Sequence, residues 1–319
     1  MIDLLGHDDA WREWTGALGS ARMHHAWILT GLKGLGKGQF ARAAAAALVA
    51  EPGIPQPAFE MHPDILIPEH PPENKEEVKK REDGQPYRRK RSIPIDEVRT
   101  LQRRLNTRPT LGSRRAVIID PADDLEKSAA NALLKSLEEP PQGTFFLLVT
   151  HRLGRLLPTL RSRCRVLRFN PLSDEQIAAI LASSAPQADA ATRAAAIAAA
   201  EGSPGAALDF VDQDLGKLHA LMLRLIAEGD EHFALRGALT EEIGTRPDRE
   251  RQQAAVDLAR AVVAAQLGRD PRRDAAVIEA HGELVRLAAQ LPSYNFDSGL
   301  VAMELGALLA GLAMPREAA

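Results

Sequence analysis

The sequence predicts an α/β protein: a parallel sheet interleaved with helices in the first half, then helices alone. Three observations lead there. Short apolar runs such as "AWILT" (26–30), "AVII" (116–119) and "TFFLLVT" (144–150) recur between helical stretches and are too short to be helices themselves. The first of them runs into a glycine-rich loop, "GLKGLGKG" (31–38), followed by an Ala-rich segment without proline. From about Pro171 the strand-like runs stop and apolar residues recur every three or four positions. These shifts place domain boundaries near 170 and 212, giving segments 1–170, 171–211 and 212–319.

Each element follows from its residues. "AWILT" is a buried strand, and "KGQFARAAAAALVA" after the loop is a helix. "DILIP" (64–68) is a candidate strand. Residues 93–109 place Val98, Leu101 and Leu105 at helical spacing. "RRAVIIDPADD" (114–124) has a continuous apolar centre, as expected of a parallel strand covered on both faces. "LEKSAANALLKSLEEPP" (125–141) is a helix stopped by Pro140 and Pro141. "TFFLLVT" and "CRVLRF" (164–169) are further strands. Residues 173–210 read as short helices, and 214–314 as four or five amphipathic ones. No internal repeat is visible.

Bulk composition narrows the function classes. A chain of 319 residues exceeds one ordinary core, so two or three domains are expected. The formal net charge of −3 gives no global nucleic-acid signal, and any such contact must be local or supplied by a partner. A single cysteine, Cys164, excludes a disulfide framework and a four-cysteine zinc site. The N-terminus lacks the basic and apolar regions of a signal peptide, and no run of about 18 apolar residues occurs. A cytoplasmic protein without a membrane partner is the expectation. Residues 69–92, "EHPPENKEEVKKREDGQPYRRKRS", are polar, carry three prolines and hold the cluster Arg88-Arg89-Lys90-Arg91. They read either as a solvated loop or hairpin or as a contact to a DNA backbone or partner, with Glu76, Glu77, Glu82 and Asp83 weakening the second reading.

The loop at 31–38 has most of the parts of a phosphate-binding loop. Gly31, Gly34 and Gly36 let backbone N–H groups turn inward, and Lys37 is positioned to meet phosphates. The helix that follows adds its N-terminal dipole. The next position should carry the serine or threonine hydroxyl that binds magnesium, and here it is Gly38. The strand "AVIID" supplies a metal-side acid, Asp120, but the residue after it is Pro121 rather than a second carboxylate. Asp123, three residues on, reads as the N-cap of the following helix. Cys164 reads as a small apolar residue rather than a nucleophile.

Three segments, "HHAWILTGLKGLGK", "VIIDPADDLEKSAANALLKSLEEPP" and "LLPTLRSRC", occur in order across about residues 7–210 and resemble the clamp-loader subunits of the AAA+ superfamily. The resemblance implies an AAA+ domain with a parallel sheet, a small helical lid (171–211) and an all-helical oligomerisation collar (212–319). It implies a subunit of the ring that loads the sliding clamp onto primed DNA. The partners would be loader subunits of the gamma/tau and delta types. Hydrolysing members keep the hydroxyl after the lysine, the second acid, and an arginine in the second domain that reaches their own nucleotide. In "GSPGAAL" (202–208) that last place falls to Gly205, within a stretch that also reads as a simple interhelical turn. The non-hydrolysing branch is therefore implied, with no required cofactor, at most vestigial ATP binding, no zinc, and no ATPase or polymerase activity of its own. The family places a polar residue near the γ-phosphate at the position of Thr150. The motif Ser162-Arg163-Cys164 is complete, and its arginine would reach ATP on a neighbouring subunit. Outside that motif, Arg163 would read as part of a surface cluster with Arg161, Arg165 and Arg168. An ATP-hydrolysing loader subunit or other AAA+ ATPase is the alternative, opposed by Gly38, Pro121 and Gly205. A self-sufficient DNA-binding module is opposed by the modest charge.

Overall fold

A computed structural model describes residues 6–20, 22–244, 246–291 and 296–313. The chain divides into two compact units, Met1–Pro171 and Leu172–Ala319.

The first unit runs α1 (Asp8–Leu18), β1 (Ala26–Thr30), α2 (Lys37–Val49), β2 (Ile65–Leu66), α3 (Lys75–Glu82), α4 (Ile95–Leu105), β3 (Arg115–Ile119), α5 (Lys127–Glu138), β4 (Thr144–Thr150), α6 (Pro158–Arg161) and β5 (Arg165–Arg168). Its five strands form one sheet in the order β2-β3-β4-β1-β5, with every pairing parallel. The continuous apolar runs are explained by burial on both faces. In β1, Trp27 and Leu29 join Trp14, Phe40 and Leu48 of α1 and α2 on one side. Ala26 and Ile28 join Val98, Leu101, Leu133 and Leu137 of α4 and α5 on the other. β3 and β4 alternate in the same way, as the two-residue period of a strand requires.

β1 sits between β4 and β5, with Thr30 paired to both Thr150 and Arg168. The loop after β1 and the residues after β4 therefore leave the sheet side by side. Two elements differ from the sequence expectation. The five-residue run at 64–68 yields only a two-residue β2. Residues 69–92 contain α3, whose N-terminus is capped by the Asn74 side chain, instead of forming only a loop or hairpin. Sequence periodicity also passed over α1, which buries Ala10 and Trp14.

The second unit is helical: α7 (Asp174–Ser184), α8 (Ala190–Ala199), α9 (Pro204–Asp212), α10 (Gly216–Glu228), α11 (Ala234–Ile243), α12 (Arg249–Ala264), α13 (Asp274–Gln290) and α14 (Ser298–Ala310). Ser173 and Gln176 close a reciprocal cap at the start of α7. One apolar core runs through the unit, from Leu172 and Ile177 through Phe210, Leu218 and Val263 to Leu305 and Leu312. No helix among the described residues is long and apolar enough to cross a membrane.

Candidate functional site

The glycine-rich loop joins β1 to α2 and turns on residues in left-handed backbone. Gly31 has φ 154°, and a Cβ there would stand 2.5 Å from the carbonyl oxygen of Phe169, so only glycine fits. Gly34 (φ 83°) and Gly36 (φ 78°) continue the turn, and Gly36 is the N-cap of α2. His7 supports the loop from outside: its Nε2–H donates to the Leu35 carbonyl at 2.6 Å, and its ring packs edge-on against Phe169. Burial lowers the pKa of this imidazole. The motif reading did not include His7, because nothing in the sequence connects it to a loop 28 residues away.

Lys37 is buried, with 2% of its surface exposed. Its ammonium donates to the Gly31 carbonyl at 2.8 Å and to that of Leu32. Burial lowers its pKa to about 8, while Asp120 and Asp123 act in the opposite direction. The lysine is thus satisfied by the carbonyls of its own loop.

Gly38 faces the carboxylate of Asp120. A Cβ built at residue 38 would overlap Asp120 Oδ2, so the carboxylate takes the space that a serine or threonine side chain would need. Burial raises the pKa of Asp120, and the cations Arg42 and Lys37 hold it down. The two positions that the sequence shows as one lost and one kept magnesium ligand are therefore physically linked.

Asp123 does not cap α5, correcting the sequence expectation. The N-cap of α5 is Glu126, without a side-chain cap. Asp123 lies in a 3-10 turn (Ala122–Asp124) and fastens the exit of β4 instead. It accepts from Thr150 Oγ1 at 3.0 Å, from the His151 backbone N–H at 2.8 Å and from that of Arg152 at 3.2 Å. Thr150 is fully buried, and its hydroxyl also accepts from Arg152 N–H at 3.2 Å. Both side chains are occupied within the unit. His151 is held neutral near pH 7: burial first, then Lys37, lowers its pKa to about 4 despite Asp123.

Arg163 follows the single turn of α6. One Nη donates to the Thr159 carbonyl at 2.8 Å and lies 3.3 Å from Ser162 Oγ. The other Nη lies 2.6 Å from Glu138 Oε1, at the last residue of α5. The arginine side chain is 34% exposed, so part of the guanidinium faces outward. Glu138 was not legible as its partner, although "SLEEPP" carries a helix stop that fixes a carboxylate in the last turn. Cys164 is half-buried, and burial pushes its thiol up to about 12, where it is no nucleophile at neutral pH. In the second unit, Gly202 (φ 81°) turns the chain, Ser203 caps α9, and Gly205 lies in the first turn of that helix. Among the described residues, no three His, Cys, Asp or Glu side chains converge so as to hold a metal ion.

Residues 6–173 match the family described as DNA polymerase III, delta subunit. DNA polymerase III subunit delta' of Pseudomonas aeruginosa is 35% identical over 162 residues, covering 47% of this chain and 44% of that protein. Subunit delta' of Escherichia coli K12 is 35% identical over 160 residues, covering 49% and 48%. Subunit tau of the same strain is 28% identical over 323 residues, covering 96% of this chain and 46% of that protein. The chain thus spans about half the length of the curated relatives it matches. A crystal structure of a gamma subunit-related protein from Thermotoga maritima superposes with a TM-score of 0.51 at 20% identity, covering 95% of this chain and 98% of that one. This likeness gives the fold alone: a parallel α/β unit followed by a helical region.

Proposed function

The chain belongs to the DNA polymerase III delta-subunit family, and from that premise we propose that it is a delta-prime-type clamp-loader subunit that turns over no nucleotide itself. It lends Arg163 to ATP held by a neighbouring subunit. The observation that carries this reading is the Asp120 carboxylate standing where a side chain at residue 38 would have to be. A loop in that state lacks the magnesium hydroxyl and has its lysine tied to its own carbonyls. The second acid is absent at Pro121, and Asp123 is committed to β4. The similarity to the delta' subunits of P. aeruginosa and E. coli supports the same assignment.

Arg163 is suited to a role in trans. A guanidinium stays charged at all relevant pH and can bridge phosphate oxygens with a planar fork of donors. An arginine supplied across an interface is worth ~10³–10⁵ in rate in other nucleotide hydrolases. A lid role for residues 171–211 and an oligomerisation-collar role for 212–319, two parts that share one core, the loader partners of the gamma/tau and delta types, and the clamp and primed DNA reached through the assembled ring are parts of this proposal. So is at most vestigial nucleotide binding.

The tau similarity, which runs through 96% of this chain, favours a second reading: an ATP-hydrolysing subunit. Steady-state hydrolysis by the purified chain separates the two. The first reading expects no turnover above background. Turnover abolished by Lys37→Ala would establish the second.

A further inference from the structure

Residues 69–92 belong neither to the phosphate loop nor to Arg163, and they contain the only run of four consecutive basic residues in the sequence. The segment is an organised strap. His70 Nε2 lies 3.1 Å from Asp124 Oδ2 at one end. At the other end, Ile93 N–H donates to the Asp124 carbonyl at 2.8 Å, and Ser92 Oγ donates to Glu126 at 2.9 Å. Inside the strap, Glu73 N–H donates to the Arg88 carbonyl and Lys90 N–H to that of Pro71. The buried Glu77 is the keystone. One carboxylate oxygen accepts from Lys80 Nζ at 2.7 Å and the other from Arg88 N–H at 2.6 Å. Hydrogen bonding by Lys80 and by the Arg88 backbone keeps this carboxyl below its usual pKa.

The Glu77 carboxylate thus spends its hydrogen bonds on Lys80 and on the Arg88 backbone, and the Arg88 charge acts on it without a salt bridge. Arg88, Arg89, Lys90 and Arg91 are all exposed, and none forms a salt bridge among the described residues. The Arg89 guanidinium lies over the Tyr87 ring, 5.3 Å from its centroid, a flat cation–aromatic surface of the kind on which bases stack. Residues 75–91 carry eight basic against four acidic side chains, a net of four positive on a chain whose total is −3. A protein partner would need an apolar anchor as well, and the strap exposes only Val78 among large hydrophobics.

We propose that this strap is a contact for single-stranded DNA, in which Arg88, Arg89, Lys90 and Arg91 neutralise successive backbone phosphates without reading sequence. The proposal does not rest on Arg163 acting in trans.

The test uses the full chain and a labelled oligothymidylate of about 30 nucleotides, titrated from about 50 to about 200 mM salt. Each phosphate neutralised on a single strand adds about −0.7 to the slope of log affinity against log salt, so four contacts predict a slope near −3. The variant R88A/R89A/K90A/R91A should lose most of that slope and at least tenfold in affinity at low salt. The variant R103A/R168A/K217A/R269A removes the same charge from exposed positions elsewhere and should keep both. R89A/R91A, a milder change, should lose about half the slope. Equal losses in the two fourfold variants, an unchanged slope in the strap variants, or no binding by the wild type at low salt would overturn the proposal. Tighter binding of duplex than of single strand at equal length would overturn the single-strand assignment.

Discussion

A buried ammonium without an anion has to find oxygens or lose its proton, and Lys37 finds two carbonyls of its own loop. Its pKa in the fold, about 8, lies below the ordinary 10.5. The charged form is therefore disfavoured by folding. That cost is present in full below pH 8 and is relieved as pH rises from 8 towards 10.5, where the unfolded chain still binds the proton and the folded chain does not. The wild type should gain stability relative to Lys37→Met across that window, measured as the difference in denaturation midpoint at each pH. A constant difference would contradict the burial account. Gly38→Ser would press its Cβ onto the Asp120 carboxylate. The contact is to the free end of a side chain that can swing aside, so the change should cost less than about 1 kcal/mol in denaturant titration, and it should restore no ATP hydrolysis. At Arg163, the ion pair to Glu138 is partly solvated, with side chains 34% and 49% exposed. Glu138→Gln should therefore change stability by less than about 1 kcal/mol. The residue types at 37, 38 and 121 were legible because each states its chemistry alone, whereas Arg163 stood out from the neighbouring arginines only through its motif. The meetings of Gly38 with Asp120 and of Glu138 with Arg163 were not, since 82 and 25 positions of chain separate the partners and only the sheet brings them together.

Between elements, the turn after β3 is joined to the end of β4 through Asp123, by three hydrogen bonds. Asp123→Ala takes the acceptor from the Thr150 hydroxyl and from the His151 backbone N–H, while the Arg152 N–H keeps Thr150 Oγ1, and it should cost about 1–3 kcal/mol in the unfolding of the first unit. A loss below about 0.5 kcal/mol would mean that these donors find other partners. The long strands were legible because both faces are buried, which leaves an unbroken apolar run such as Val117-Ile118-Ile119. β2 was legible in place but not in length. Just before it, Asp64 spends its side chain on the Thr110 and Leu111 backbone and on Arg115, contacts that no local pattern announces. α3 was illegible for a different reason. It has no apolar face to produce a period and is fixed by the Asn74 cap and by Glu77, a buried acid. Propensity and periodicity carry no sign of a helix organised around a carboxylate.

The two units have separate cores, and the helical core runs unbroken from Leu172 to Leu312. A chain ending at Pro171 keeps the sheet and both its apolar layers, and it should unfold cooperatively by circular dichroism. A chain ending at Phe210 keeps α7–α9 but loses Leu218, Met222 and Leu225, with which they share a core. It should bind a hydrophobic dye and associate, whereas a compact monomer would show that residues 172–210 form an independent domain. For the whole protein, Arg163 should matter only in company. In complexes assembled with the other loader subunits, and with assembly verified by mass, pre-steady-state ATP hydrolysis in the presence of clamp and primed DNA compares wild type, Arg163→Ala, Arg163→Lys and the charge control Arg161→Ala. A partial loss in Arg163→Ala, little recovery in Arg163→Lys and none lost in Arg161→Ala is the predicted result, because a lysine does not reproduce the forked donors that a transferring phosphoryl group needs. Equal rates for wild type and Arg163→Ala in fully assembled complexes would contradict it.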